Sequence, residues 1–242
     1  MPVGGPRVRA VLALLVAGAG RPVSVAALAR GLWGSRPPPD AERTVRTYVS
    51  RLRTALRPVL GGAPAVGSLL TCPPGYALRT GPTAVDAGRF ERLAAAGRRD
   101  LAAGCPERAE EQLAAALALW RGEAYGEFPD CAALQAEAAR LAELRLGAVE
   151  DRVDAELAAG AGSHLVPELA ELTRAHPARE RLWAALMVAL YRSGRQAAAL
   201  AAYARARARL AGELGLEAGP ALVETHRRVL AQDRRLDPGD RP

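Results

Sequence analysis

Apolar residues recur at helical spacing in the first part of the chain. Val8, Val11, Leu12 and Leu15 fall three or four apart, which predicts a short amphipathic helix over about 7–17, ended by Gly18 and Gly20. Val25, Leu28 and Leu32 share one face of a second helix, 25–33, with Ser24 placed to cap its first turn. "GSRPPP" at 34–39 then breaks the chain. A third helix is expected from about 41 to Arg57. Asp40 should cap it by accepting orphan amide hydrogens, and Glu42 suits the positive end of its dipole. "SLLTC" and "YALRT" flank "PPG" and predict two short strands around a turn. Helix, helix, helix, hairpin is the layout of a winged helix-turn-helix, whose third helix enters the major groove while the hairpin touches the backbone nearby.

From 83 to 233 the pattern is helical almost throughout. Gly104 is followed by Ala109, Leu113 and Ala116 at offsets of 5, 9 and 12. Gly160 has Leu165, Leu169 and Leu172 at the same offsets, and Gly194 has Ala199, Tyr203 and Ala206. Gly160 and Gly194 stand 34 apart, the tetratricopeptide period. In such a repeat the glycine permits a tight turn, and the small residues let antiparallel helices approach. Gly212, Gly215 and Gly219 with Pro220 are expected to break the chain before a last helix, about 221–233. The fold class is therefore mainly α: a winged-helix DNA-binding domain over 1–82, a tetratricopeptide-like domain over 83–233, and a disordered tail over 234–242.

The third helix holds the strongest functional signal. "RTVRTYVSRLRTAL", Arg43 to Leu56, has four arginines and no acid, and Arg57 follows. On a helical wheel Val45, Val49, Leu52 and Leu56 form one narrow stripe that must face a core. Arg46, Ser50, Arg53 and Arg57 gather on another side, flanked by Arg43, Thr47 and Thr54. Arginine forks grip phosphates or guanine edges, and hydroxyls bond to either. A negative polymer would neutralise the crowded charge. A plain solvated basic face is the alternative. Arg7 and Arg9 on the first helix, and Arg79 in the second wing strand, are candidate backbone contacts. Tyr76 is expected to pack the wing, and Trp33 to anchor the core.

Charge sharpens this division. Residues 1–82 hold 11 arginines against two acids, Asp40 and Glu42, while the remainder holds 22 arginines against 24 acids. A basic front and a nearly neutral back fit a polyanion-binding module joined to something else. All 33 basic residues are arginine, so a Schiff-base lysine and a Walker-type phosphate loop are excluded. Cys72, Cys105 and Cys131 are far apart and odd in number, without zinc or disulfide spacing. His164, His176 and His226 are isolated, and no GxSxG, GxGxxG or HExxH is present. Glu110–Glu111 and Glu150–Asp151 sit near arginines, as solvated helix faces do. The expectation is no catalysis, no cofactor and no metal. Arg7 and Arg9 ahead of "AVLALLVAGAG" mimic a secretory signal, but the run is shorter than the roughly 20 residues of a membrane span. It fits a first helix, so a cytoplasmic protein with no membrane partner is expected.

"GGPRVRAVLALLVAGAGRPVSVAALARGLWG", "RTVRTYVSRLRTAL", "LLTCPPGYAL", "VDAGRFERL", "ALALWRGEAYGEF", "EAARLAELRLGAVEDRVDAELAAG" and the segment from "LVPELAEL" to "LGLEAGPAL" resemble the Streptomyces antibiotic regulatory protein family over almost the whole chain. The resemblance implies an OmpR-type winged helix followed by a helical bacterial transcriptional activation domain. It implies activation of a secondary-metabolite gene cluster, with copies side by side as a homodimer on direct repeats of double-stranded promoter DNA, and recruitment of RNA polymerase. It makes 41–57 the recognition helix, with Arg43, Thr44, Arg46, Thr47, Ser50, Arg51 and Arg53 as contacts. It makes Gly34, Ser35, Arg36, Pro37, Pro38 and Pro39 the polymerase-facing loop. Family members carry a small β-sheet before the "GGP" segment, and only Met1–Val3 precede it here. The expectation is a truncated N-terminal sheet and a partly uncovered first helix. The chain resembles the small stand-alone members. The competing expectation is a helical-repeat interaction scaffold whose front domain does not bind DNA.

Overall fold

The computed structural model describes residues 3–57, 68–81 and 84–237. Helix α1 spans Pro6–Ala17, α2 Val25–Trp33 and α3 Ala41–Leu56. The two-residue strand β1, Val23–Ser24, precedes α2, and β2 (Ser68–Cys72) and β3 (Gly75–Arg79) follow α3. The bundle helices are α4 (Asp86–Ala102), α5 (Pro106–Leu117), α6 (Ala132–Ala158), α7 (Val166–Ala175), α8 (Glu180–Arg192), α9 (Gln196–Arg209) and α10 (Pro220–Leu230). The chain divides into two compact units, Met1–Leu93 with Ala116–Leu146, and Ala94–Ala115 with Gly147–Pro242.

The first unit is a winged helix. Pro at the start of α1 suits a position whose amide has no helical partner. Ser24 Oγ accepts from the Ala27 amide at 3.1 Å, the expected cap of α2. Asp40 does not cap α3. Its backbone (φ −95°, ψ 24°) is not extended, and its side chain makes no cap bond. The Ala41 amide is taken by the Pro38 carbonyl at 3.0 Å, a turn bond ahead of the amides that a capping carboxylate would accept.

The sheet has order β1-β3-β2, both pairings antiparallel. Gly75 stands opposite Ser24, where an added Cβ would lie 1.9 Å from the Val23 carbonyl oxygen. Only glycine fits at that approach. The wheel stripe of α3 is confirmed: Val45, Val49 and Leu52 are buried against Val11 and Leu15 of α1 and Leu28 of α2, with Leu56 packed beside them. The expected partial uncovering of α1 is seen along one side, where Leu12, Ala13, Val16 and Ala17 are only half-buried. Val8, Val11, Leu14 and Leu15 are all buried, and Cys131 and Leu134 complete the same core, with Tyr125 and Phe128 packed on it. Tyr76 is buried in the wing, and Trp33 is half-buried against the core.

In the second unit α8 packs against α7, α9 and α10. The repeat pattern is borne out in the backbone. Gly104, Gly160 and Gly194 each adopt positive φ, at 75°, 101° and 71°. Each turn closes with the same pair of bonds: the glycine amide to the residue three back, and the next amide to the residue five back. This is the Schellman end of a helix, which favours glycine. The offset residues Ala109, Leu113, Ala116, Leu165, Leu169, Ala199 and Ala206 are buried, while Leu172 and Tyr203 are half-buried.

Three details differ from expectation. Gly212 does not break the chain, because a π-type turn over Leu210–Leu214 carries α9 past it and Gly215, left-handed, ends the run. The start of the presumed tail is anchored: Arg234–Leu236 form a 3-10 turn, Leu236 is buried, and Arg192 Nε donates to its carbonyl at 2.7 Å. The rest of that segment, 238–242, lies outside the described residues. Glu150 and Asp151 are not on a solvated face. Both are buried, Asp151 between Arg98 at 2.9 Å and Arg181 at 2.7 Å.

Candidate nucleic-acid interface

Helix α3 is held rigidly by its apolar stripe, and its other faces carry the candidate residues outward. Arg43, Arg46, Thr47, Ser50, Arg51, Arg53 and Arg57 are exposed, and Thr44 is half-buried. Thr47 and Thr54 donate back to the carbonyls of Arg43 and Ser50 at 3.2 and 3.3 Å, which leaves their oxygens able to accept. Among the described residues Arg43, Arg51 and Arg57 pair with no carboxylate. Arg46 meets Glu42 one turn back at 3.2 Å, with both side chains about 60 % exposed. Such exposed pairs contribute about 0.3–0.5 kcal/mol and exchange readily for a stronger anion.

Two candidates are engaged by the protein itself. Arg53 donates from Nε to the Leu69 carbonyl at 3.2 Å and from Nη2 to Thr71 Oγ1 at 2.7 Å. Its guanidinium also lies 5.6 Å from the centre of the Tyr76 ring. It therefore fastens the wing to α3. Arg9 is spent on Glu127: Nε donates to Oε1 at 2.6 Å, and Nη1 donates to the Gly4 carbonyl at 2.9 Å. These bonds join residues 16, 18 and 118 apart in sequence, beyond what local spacing reveals. A tyrosine and a threonine in the hairpin were the available hint for Arg53; nothing hinted at Glu127.

The remaining candidates lie on flanking elements. Arg7 is exposed and sits 5.5 Å from the centre of the Trp33 ring, at the junction of α1 with the end of α2. Arg79 is exposed at the end of β3, opposite Ser68. The residues 34–39 are all exposed. Gly34 leaves α2 with φ of 61°, and its amide donates to the Arg30 carbonyl at 2.8 Å. The three prolines lie between two turn bonds, Arg36 to the Trp33 carbonyl at 3.3 Å and Ala41 to the Pro38 carbonyl. Among the described residues no group of three or more His, Cys, Asp or Glu is placed to hold a metal ion. None of their helices is long and apolar enough to cross a membrane.

A winged helix with an open arginine face, followed by a helical-repeat bundle, defines a class: the DNA-binding transcriptional activators. The comparisons agree. Residues 4–66 match the family "Transcriptional regulatory protein, C terminal", and residues 85–230 match the bacterial transcriptional activator domain. The regulatory protein DnrI of Streptomyces peucetius is 41 % identical over 232 residues, covering 95 % of this chain and 85 % of DnrI. The regulatory protein AfsR of Streptomyces coelicolor is 44 % identical over 234 residues, and 96 % of this chain spans 23 % of that protein. The solved structure of Mycobacterium tuberculosis EmbR in complex with a low-affinity phosphopeptide superposes with a TM-score of 0.89 at 41 % identity, over 96 % of this chain and 61 % of EmbR. The chain belongs to the Streptomyces antibiotic regulatory protein family.

Proposed function

We propose that this protein activates the promoters of a secondary-metabolite gene cluster from the cytoplasm, without catalysis of its own. In this reading α3 lies in the major groove, copies sit side by side on direct repeats, and the loop 34–39 faces RNA polymerase. The observation that carries the reading is the open face of α3. Val45, Val49 and Leu52 fix the helix from below, and Arg43, Arg46, Thr47, Ser50 and Arg51 are left in solvent with one exchangeable internal pair among them. Arg43, Arg46 and Arg51, with Thr44, Thr47 and Ser50, contact bases and phosphates. Arg57, Arg7 and Arg79 contact the backbone. Arg53 acts by holding the wing, and Arg9 contributes least because Glu127 already neutralises it.

A mobility-shift titration on promoters of the neighbouring genes tests the reading. A fragment carrying a direct repeat is expected to shift in two steps, and a fragment with one repeat scrambled in one weaker step. Absence of any sequence-preferring shift would favour the interaction-scaffold alternative. Polymerase contact is tested separately by replacing 34–39 with a glycine-serine loop. Promoter affinity is expected to stay while transcription in vitro falls to the unactivated level; full activation by that variant excludes the loop.

A further inference from the structure

A cavity of about 380 Å³ lies in the first unit, away from α3, within the size range of small-molecule sites. Aromatics make up only 4 % of the chain, yet Phe90, Trp120 and Tyr125 all line it, with Val16, Leu119 and Leu141. Phe90 and Trp120 meet edge to face with centroids 5.4 Å apart, and Arg145 lies 5.0 Å from the centre of the Trp120 ring. The walls are therefore fixed rather than loose. Tyr125 adopts a φ of 55°, uncommon for a bulky residue and costing on the order of 1–3 kcal/mol. The surrounding fold holds that conformation, with the Phe128 amide donating to the Tyr125 carbonyl at 2.8 Å. Burial first, and then Glu137 and Asp86, push its phenol up to about 12.

The polar edge carries Asp86, Glu123 and Arg121. Arg121 pairs with Asp86 at 3.1 Å. Glu123 has no ion-pair partner among the described residues, so one carboxylate of the rim is left open to a cation. Apolar aromatic walls under an open carboxylate suit a cation attached to a ring system.

We infer that this cavity binds a planar aromatic molecule bearing a protonated amine, with its rings against Phe90, Trp120 and Tyr125 and its ammonium facing Glu123 and Asp86. The inference is independent of DNA binding, so its test is run without DNA. Calorimetric titration of the full chain uses 2-naphthylmethylamine, its neutral counterpart 2-naphthylmethanol, and 2-naphthoate. The amine is expected to bind, the alcohol roughly three- to fivefold more weakly, and the carboxylate most weakly. Glu123→Gln should bring the amine and the alcohol to nearly equal affinity, and an undiminished preference for the amine would overturn the placement of the ammonium. Ala124→Trp, which fills the cavity from a half-buried position, should abolish binding while preserving the circular dichroism spectrum. Trp120→Ala removes a wall and serves as a second variant if the bulky one unfolds. No heat from any of the three probes at millimolar concentration, equal binding of carboxylate and amine, or undiminished binding by a folded Ala124→Trp variant would each overturn the assignment.

Discussion

The arginines of α3 and those of the second unit are the same residue in opposite surroundings. In the second unit a group of them closes on carboxylates, while among the described residues Arg99, Arg195, Arg205, Arg207 and Arg234 meet none. Arg181 meets Asp151 and Asp154, each at 2.7 Å, Arg98 meets Asp151, and Arg152 bridges Glu156 and Glu168. Burial there is strong enough to push Glu150 and Asp154 above the usual carboxylate range despite Arg179 and Arg181. In α3 the cations face water, with Glu42 as the acid that meets one of them. The chain uses arginine for every basic position in both places, so the choice of residue does not account for the difference in pairing. Where the charge is structural, the chain supplies its own anion. Along α3 the chain supplies almost none, and our proposal is that the missing anion is DNA, docked by the winged-helix frame.

The comparison breaks most visibly on removing the open charges. Arg43→Ala, Arg46→Ala and Arg51→Ala together should lower promoter affinity at least about 100-fold, at roughly 1–3 kcal/mol per lost contact, with little change in melting temperature. Fluorescence anisotropy and a thermal melt, run side by side, check both halves. Asp151→Ala should show the reverse, costing roughly 1–2 kcal/mol of stability, because Arg98 loses its partner and Arg181 loses one of two while keeping Asp154. Denaturant unfolding would reveal it as a lower midpoint. Arg53→Met lies between the two classes. Losing its bonds to Leu69 and Thr71 should cost roughly 1–2 kcal/mol and weaken DNA binding only through a looser wing.

The smallest effect concerns pH. His226 stacks on Tyr203 with centroids 3.9 Å apart, and burial, then Arg207, lower its pKa below 6.5. A histidine held below its unfolded pKa contributes stability above about pH 6.5, which is lost as pH falls through the folded value. His226→Phe should therefore flatten the melting temperature between pH 7 and pH 5 slightly, and an unchanged profile would remove this group from the balance.

Local periodicity carried much of the fold. The stripes of α1, α2 and α3, the Ser24 cap, the hairpin and the three glycine turns were all legible because each depends on residues within a few positions of one another. What escaped was long-range or too short to show a period. A two-residue β1 cannot display alternation. Cys131 and Leu134 join the first core from far along the chain, so the loss expected around α1 could not be balanced from sequence. The candidate interface followed the same division. The open face of α3 was visible on a wheel, while the internal engagements of Arg9 and Arg53 required the hairpin and Glu127 to be brought beside them. Asp40 failed as a cap because its backbone, at φ −95° and ψ 24°, is not extended and its side chain reaches none of the free amides of the first turn.

The most direct measurement is the salt dependence of promoter affinity for the wild type and for the triple α3 variant. Free guanidiniums that grip a duplex release counterions, so the wild type should lose affinity with a log–log slope of about −3 or steeper, and the variant should show a clearly shallower line. A wild-type slope near zero, or superimposable lines for the two proteins, would contradict the claim that the anion missing from α3 is DNA.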